Sequence, residues 1–491
     1  MKLEKIVLFN CAILFTVFWF IRLPLSPDEA HYYLWSLNLD WSYYSKGPLL
    51  GLVIKLSTLL FGKSEHSVRL PALLFSFGSI ALVYRYLTRH KEFVDTEKLY
   101  LIIFSSVAMW YQALVMTTDA PAIFFWLLSC IAFKNYLDSD KNVYSLIVGS
   151  IALGFGIWSK YTILVVFVVF SVFLLKRVFQ RQSPVRHLCL YFGIIALFVL
   201  PIIYWNYLNG WVNFQHNATH VGSGKINGLK PFYFFDFIGG QIGMFGLFLV
   251  TIVVYAARFF NRRSTQGTSF IFLSALSLFL VCMFVSFFKR IYPNWTIPAY
   301  PLMVLSLGLA LNTHFLMNKK IFNIFLGVNA FVSLLGVLLL FGFTFALPGR
   351  ILPTKKMVGW RDFSSFVLDQ KLSNPDIGFV ISESYDFTSE LNFYTPSLNV
   401  YNTTLGGRRM NQFDIWQSHS DRLKEIRGSS VLLVLSSPEA SDLFKPYFSR
   451  IERLPVKKDF SYDFSGESLR TVYLFRGYDY NGKPFQNAES H

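Results

Sequence analysis

The chain has 491 residues, 53% of them hydrophobic and only 15% charged. That balance excludes an ordinary soluble globular protein, because several segments approach the roughly 20 apolar residues that span a bilayer. The formal net charge is +16. Its basic residues sit in short loops between apolar runs rather than in a stripe with exposed aromatics, so nucleic acid is not an expected partner.

The first apolar run, 5–25, follows Lys2 and Lys5 and has no small-x-small cleavage site, which predicts an uncleaved signal-anchor helix. A polar and aromatic segment, 26–66, comes next and opens LSPDEAHYYLWSLNLDWSYYSKGP from Leu25 to Pro48. Ser26-Pro27-Asp28-Glu29 has the form of a helix start, with Ser26 as N-cap, Pro27 at the first helical position and Glu29 closing a capping box. Ala30, Tyr33, Leu34, Leu37 and Trp41 recur on one helical face, as in an amphipathic helix lying at a membrane surface. The run 48–61 is short and carries Lys55, which predicts an interfacial or re-entrant helix.

Further spans are predicted over 67–87, 99–117, 120–136, 143–158, 162–176, 188–207, 238–257, 269–288, 296–312 and 321–346. The expected architecture is an α-helical polytopic membrane protein with about 11–13 transmembrane helices. Trp158-Ser159-Lys160-Tyr161 interrupts the apolar stretch 143–176 and reads as a turn at the membrane surface. Cys11, Cys130, Cys189 and Cys282 all lie within apolar runs and read as small packing residues.

Lys2/Lys5, Arg85/Arg89/Lys91/Lys98, Lys134/Lys141, Lys176/Arg177/Arg181/Arg186, Arg258/Arg262/Arg263 and Lys319/Lys320 occupy alternate loops, which the positive-inside rule makes cytoplasmic. Segment 26–66, the loops at Asp119 and Lys160, loop 208–237, loop 289–295 and everything after Pro348 then face the outer side. Residues 1–348 are expected to form the membrane domain, with 26–66 as its outer-face loop. Residues 349–491, with strand-like runs at Gly378–Ile381, Val431–Leu435 and Thr471–Phe475 and a helical pattern over 359–371, predict an extracytoplasmic α/β domain.

Two acids on the outer side, Asp28 and Asp119, each begin a helix, where an acid suits the dipole and can also serve as a general base. Basic residues on that side run against the charge bias. Lys46, Arg69 and Lys160 are each accounted for by snorkelling, yet Lys46 with Lys289-Arg290 could also clamp a phosphate at the membrane surface. His216 and His220 have the i,i+4 spacing of metal ligands but lack a third ligand nearby in sequence.

The chain resembles the integral-membrane GT-C glycosyltransferases, in particular bacterial relatives of protein O-mannosyltransferases and of the lipid A aminoarabinose transferase. The resemblance is carried by PDEAHYYLWS (27–36) before YYSKGPL (43–49), TTDAP (117–121), RIYPNWTIPAYP (290–301), SELNFYTP (389–396) and RRMNQFDIW (408–416). It implies inverting sugar transfer from a polyprenyl-phosphate donor to lipid A, another glycolipid or a surface glycan, on the outer face of a bacterial inner membrane. It places the leading catalytic acid at Asp28, an accessory acid at Asp119 and the phosphate-binding lysine at Lys46; from the residues themselves, Glu29 stands beside Asp28, and Lys289 or Arg290 could help Lys46 hold the leaving phosphate. His31, Tyr43, Arg69, Lys160 and His220 are further candidates for substrate contact.

No cofactor is required by these residues. A divalent metal is admissible, although the Glu that helps form the metal site of the aminoarabinose transferases is Ser45 here. A monomer is expected. Protein hydroxyls are an alternative acceptor, and a lipid-linked sugar transporter or flippase is the alternative from another class. The ionisable residues gather at one face and no half-repeat is visible, which favours the interfacial enzyme over the transporter.

Overall fold

The computed structural model describes residues 3–20, 22–90, 93, 95–139, 142–221, 228–245, 265–311, 320, 323–324, 326–328, 330–332, 334–335, 356–403, 405, 411–418, 426–461, 468–483 and 485. The chain divides into two compact units. One comprises 1–20, 46–53 and 66–337, the other 21–45, 54–65 and 338–491.

The first unit is helical. Its elements are α1 (Leu3–Phe20), the first part of a helix Leu49–Phe61, the helix from Glu65 to Arg89, then Thr96–Phe104, Val107–Leu114, Asp119–Asp138, Val143–Ser159, Leu164–Phe179, Val185–Leu208, Val212–Val221, Pro231–Phe245, Gln266–Ser286 and Tyr300–Leu311. With Pro27–Leu37 of the other unit as α2, these are α3 to α14 in chain order. Among the described residues six helices are long and apolar enough to cross a membrane: α1, α4, α7, α10, α13, and α9 extended by the 3-10 turn Tyr161–Ile163. The protein is a multi-pass membrane protein. Helices α3 and α8 are apolar but shorter.

The expected single span over 99–117 is broken. Helix α5 ends at Phe104, and Ser106 restarts the chain as N-cap of α6, its hydroxyl accepting from the Met109 amide at 3.4 Å. Adjacent serines offer the backbone a local alternative to the helix ladder. The turn expected at 158–161 is present, with α8 ending at Ser159, Lys160 extended and α9 resuming at Leu164. Parts of the spans expected at 238–257 and 296–312 and most of 321–346 lie outside the described residues.

Two of the cations read as loop charges are buried instead. Arg177 donates to the Leu137 carbonyl and to Gln266 Oε1, both at 2.7 Å. Lys134 pairs with Asp138 at 2.8 Å, and Asp138 also accepts from the Gly267 amide at 3.1 Å. A guanidinium can enter a bundle only if its donors are met, and these contacts tie α7, α9 and α13 together. Helices α7 and α8 pack closely, with Gly149 admitting the Phe133 ring, which stacks on Phe170 at 3.7 Å.

The second unit holds α2 and a five-stranded sheet with flanking helices. In chain order it continues with α15 (Trp360–Leu372), β1 (Ile377–Ser382), α16 (Tyr385–Tyr394), β2 (Tyr401–Asn402), α17 (Phe413–Ser418), β3 (Ser430–Leu435), β4 (Arg450–Ser461) and β5 (Ser468–Tyr478). Strand order is β2-β1-β3-β5-β4, with β2, β1 and β3 parallel and β5 and β4 antiparallel. The run Val431–Leu435 is apolar throughout because both faces are covered. Leu432 and Val434 join a core with Trp360, Phe363 and Leu391, whereas Val431, Leu433 and Leu435 join Phe444 and Tyr480.

Gly47, in the first unit, is required by close packing. A Cβ there would lie 2.8 Å from the Trp158 Cα and against the Trp158 carbonyl, backbone that cannot rotate away. We expect Gly47→Ala to cost about 1–3 kcal/mol by overpacking, read as a lower thermal midpoint of the detergent-solubilised protein.

Candidate functional site

In the first unit a buried ion pair stands at the start of α7. Asp119 is 2% exposed and pairs through Oδ1 with Lys160 Nζ, itself 8% exposed, in the turn after α8. The other carboxylate oxygen accepts from Asn294 Nδ2 at 3.2 Å, and the Asn294 carbonyl accepts from Lys160 at 3.4 Å. Asp119, Lys160 and Asn294 therefore form a closed triangle drawn from three segments far apart in sequence.

The triangle is held from behind. Thr117 Oγ1 accepts from the Asp119 amide at 3.1 Å, and Ser159 donates to the Thr118 carbonyl at 2.8 Å. Gln241 donates to the Pro293 carbonyl at 2.9 Å and accepts from Thr296 at 2.6 Å, pinning the 3-10 turn Pro293–Ala299 that carries Asn294. Lys160 thus has a buried partner and is not a snorkelling lysine. Asp119 is the first residue of α7, but its carboxylate serves the lysine.

Lys160 also lines a cavity of about 310 Å³, with Lys46, Asn217, Thr162 and Tyr161 among its polar members. Leu164, Val165, Leu278, Val281 and Val285 make most of the remaining wall apolar. The Lys46 carbonyl accepts from Asn213 at 3.4 Å, which fixes the backbone beside Gly47. The lysine that joins Lys46 in this wall is therefore Lys160. Lys289 is half-buried in the turn just beyond α13, and Arg290 is exposed, 3.9 Å from Asp236. Arg69 is buried within α4, and His216 lies on α11. The side chain of His220 is outside the described residues, as is 408–410 of the RRMNQFDIW motif.

In the second unit the helix start at 26–29 forms as the sequence implies. Ser26 caps α2, and the Glu29 carboxylate, fully buried, accepts from the Ser26 amide at 2.9 Å. Glu29 serves the cap, while Asp28, one position earlier, is exposed and accepts from the Tyr385 hydroxyl at 3.3 Å. Tyr43 is wholly buried, stacked on Trp35 at 4.3 Å, with its hydroxyl donating to the Trp35 carbonyl at 3.1 Å. That is a folding role for the loop.

His31 is enclosed by the rings of Trp35, Tyr385, Phe413 and Trp416, and its Nδ1 lies 3.1 Å from Ser389 Oγ. Burial pushes the imidazole down to about 3, so it is neutral. Among the described residues no three His, Cys, Asp or Glu side chains gather as a metal site. Asn294 and Tyr385 escaped the sequence reading. Asn294 lies inside a quoted motif, but nothing in the sequence marks Tyr385.

The His31 environment sets the sign of one pH effect. A histidine held neutral in the fold takes up a proton on unfolding below its ordinary value of about 6.5. Its contribution is present above about 6.5 and falls away as pH drops towards the folded value of about 3. We expect thermal stability measured from pH 7 to pH 4 to decline less steeply in His31→Gln than in the wild type.

Comparison with known proteins adds to this geometry. A family model described as dolichyl-phosphate-mannose-protein mannosyltransferase matches residues 45–205, which include Lys46, Asp119 and Lys160. The lipid A galacturonosyltransferase RgtD of Rhizobium johnstonii is 26% identical over 281 residues, covering 56% of this chain. The match spans 58% of that relative's length. ArnT of Cupriavidus metallidurans, solved without ligand and bound to undecaprenyl phosphate, is 15% identical with a TM-score of 0.62 in each case, covering 96% of this chain and 98% of its own. The chain thus has the fold of ArnT.

Proposed function

We propose that the protein transfers a sugar from a polyprenyl-phosphate donor to lipid A or a related glycolipid at the outer face of the bacterial inner membrane. The observation that carries this reading is the apolar cavity with Lys46 and Lys160 in its wall. Apolar walls suit an isoprenoid chain, and ammonium groups suit the phosphate that ends it. The galacturonosyltransferase RgtD acts on lipid A by name, and ArnT has been solved with undecaprenyl phosphate; both support the same substrate classes here.

The chemistry follows from charge. As the acceptor oxygen attacks the anomeric carbon, the bond from that carbon to the phosphate oxygen breaks and polyprenyl phosphate leaves with the electron pair. Lys46 and Lys160 stabilise that leaving group, and Asp119 with Asn294 holds the Lys160 ammonium in place. Asp28 takes the proton of an acceptor hydroxyl. Where the acceptor is a phosphate it is already ionised, and Asp28 orients it instead. One displacement inverts the anomeric centre. A protein hydroxyl as acceptor is the second reading, favoured by the family model over 45–205.

Vesicles carrying the protein, a labelled polyprenyl-phosphate sugar and lipid A test the reading. Covalent transfer is expected; movement of the donor across the bilayer without transfer would make the protein a transporter. Asp28→Asn should lower the transfer rate by roughly 10²–10⁴-fold with normal membrane insertion. Lys46→Ala should weaken apparent donor affinity, and an unchanged donor KM would assign Lys46 to snorkelling.

Breaking the Asp119–Lys160 pair from one side leaves a buried charge. Asp119→Ala is expected to cost about 3–5 kcal/mol of stability, more than the double change Asp119→Asn/Lys160→Met. Thermal denaturation of the purified variants compares the two.

A further inference from the structure

Helix α16 bears on the first loop at several points, all within the second unit. Tyr385, Ser389 and Phe393, at i, i+4 and i+8, share one helical face. Tyr385 donates to Asp28 at 3.3 Å, Ser389 meets His31 at 3.1 Å, and the Phe393 ring stands edge-on to Tyr33 at 4.9 Å. At the end of the helix, Tyr394 accepts from the Leu25 amide at 2.9 Å and donates to Glu65 at 3.1 Å. Lys63 donates to the Phe393 carbonyl, and Arg361 holds Glu65 at 2.6 Å. The two ends of the segment 25–65 are thereby fastened to the same helix.

We propose that α16 is a positioning helix for the reacting carboxylate, with Tyr385 holding Asp28 through its hydroxyl and Ser389 and Tyr394 fixing the segment that carries it. This rests on Asp28 being the base. A carboxylate at the first turn of a helix has several staggered rotamers open to it, and a donor whose ring is packed against His31 at 5.7 Å favours the one that meets the Tyr385 hydroxyl. Burial, then the negative charges of Asp28 and Asp386, hold the Tyr385 hydroxyl well above its ordinary range, so it remains a donor. The O–H···O distance exceeds the usual value of roughly 2.7–2.8 Å. Catalytic contacts are often long without substrate and shorten when it binds. The sheet-bearing domain then has a part in the reaction without supplying a group that touches the sugar.

The test is a double-mutant cycle on the full-length protein in vesicles, with labelled donor. Tyr385→Phe keeps the ring and removes the hydroxyl. It should lower kcat about tenfold with donor KM unchanged. Placed on Asp28→Asn, it should cause no further loss of the residual rate, because there is no carboxylate left to position. Wild-type kcat in Tyr385→Phe, with Asp28→Asn inactive, overturns this inference and leaves Asp28 as the base. Losses that multiply in the double variant assign Tyr385 a purely structural role and also overturn it. Wild-type activity in Asp28→Asn removes both readings. Should Tyr385→Phe fail to accumulate in the membrane, Ser389→Ala decides. A fall in kcat of about two- to threefold at unchanged donor KM supports the positioning helix, and an unchanged kcat overturns it.

Discussion

A lysine and an aspartate buried together between membrane helices must answer each other, because burial strips both of most of the water that would solvate them. The Asp119–Lys160 pair meets that constraint, and Asn294 closes it by touching both partners. Around this triangle the start of α7, the turn between α8 and α9 and the 3-10 turn after α13 take fixed places. The polar supports at Thr117, Ser159 and Gln241 serve the same end. A buried charge of this kind is costly to stability, and here it presents an ammonium, beside Lys46, to a mostly apolar cavity.

The second unit solves a different problem. Its first-loop helix is short, and a segment of that length has little helical stability alone. It acquires fixed geometry through a capping box at Ser26 and Glu29 and through packing on α16. The adjacent acids divide the work accordingly, Glu29 facing inward to the cap and Asp28 outward. Of the loop's aromatics, Trp35 packs on His31 and stacks on Tyr43, and Tyr33 meets the Phe393 ring of α16.

Much of this was legible in the residues because it is local. The capping box, the turn at Trp158–Tyr161 and the strands at 377–382, 430–435 and 468–478 depend on spacing and composition over a few residues. The break at Ser105–Ser106 was missed because hydropathy averages over a window and cannot see one serine taking over a cap. Arg177 and Lys134 were read as loop charges for the same reason. The Arg177 partners come from two other helices, whereas Lys134 pairs with Asp138 at i,i+4 on its own helix, and it is the approach of α13 to Asp138 that spacing does not show.

By itself the sequence determined that the chain is a helical membrane protein with a small sheet domain after it. Long apolar runs in lipid must satisfy their backbone groups internally, as helices do. It also determined which short motifs carry charge. What only the tertiary structure decided is pairing. Lys160 could be a snorkelling side chain or half of a buried ion pair, and Tyr385 one tyrosine among 26. The choice between those states depends on which groups approach from distant segments, such as Asn294 for the lysine and Asp28 for the tyrosine. Hydrogen bonds and close ion pairs form only at contact distance, so they are set by three-dimensional neighbours that sequence spacing does not encode.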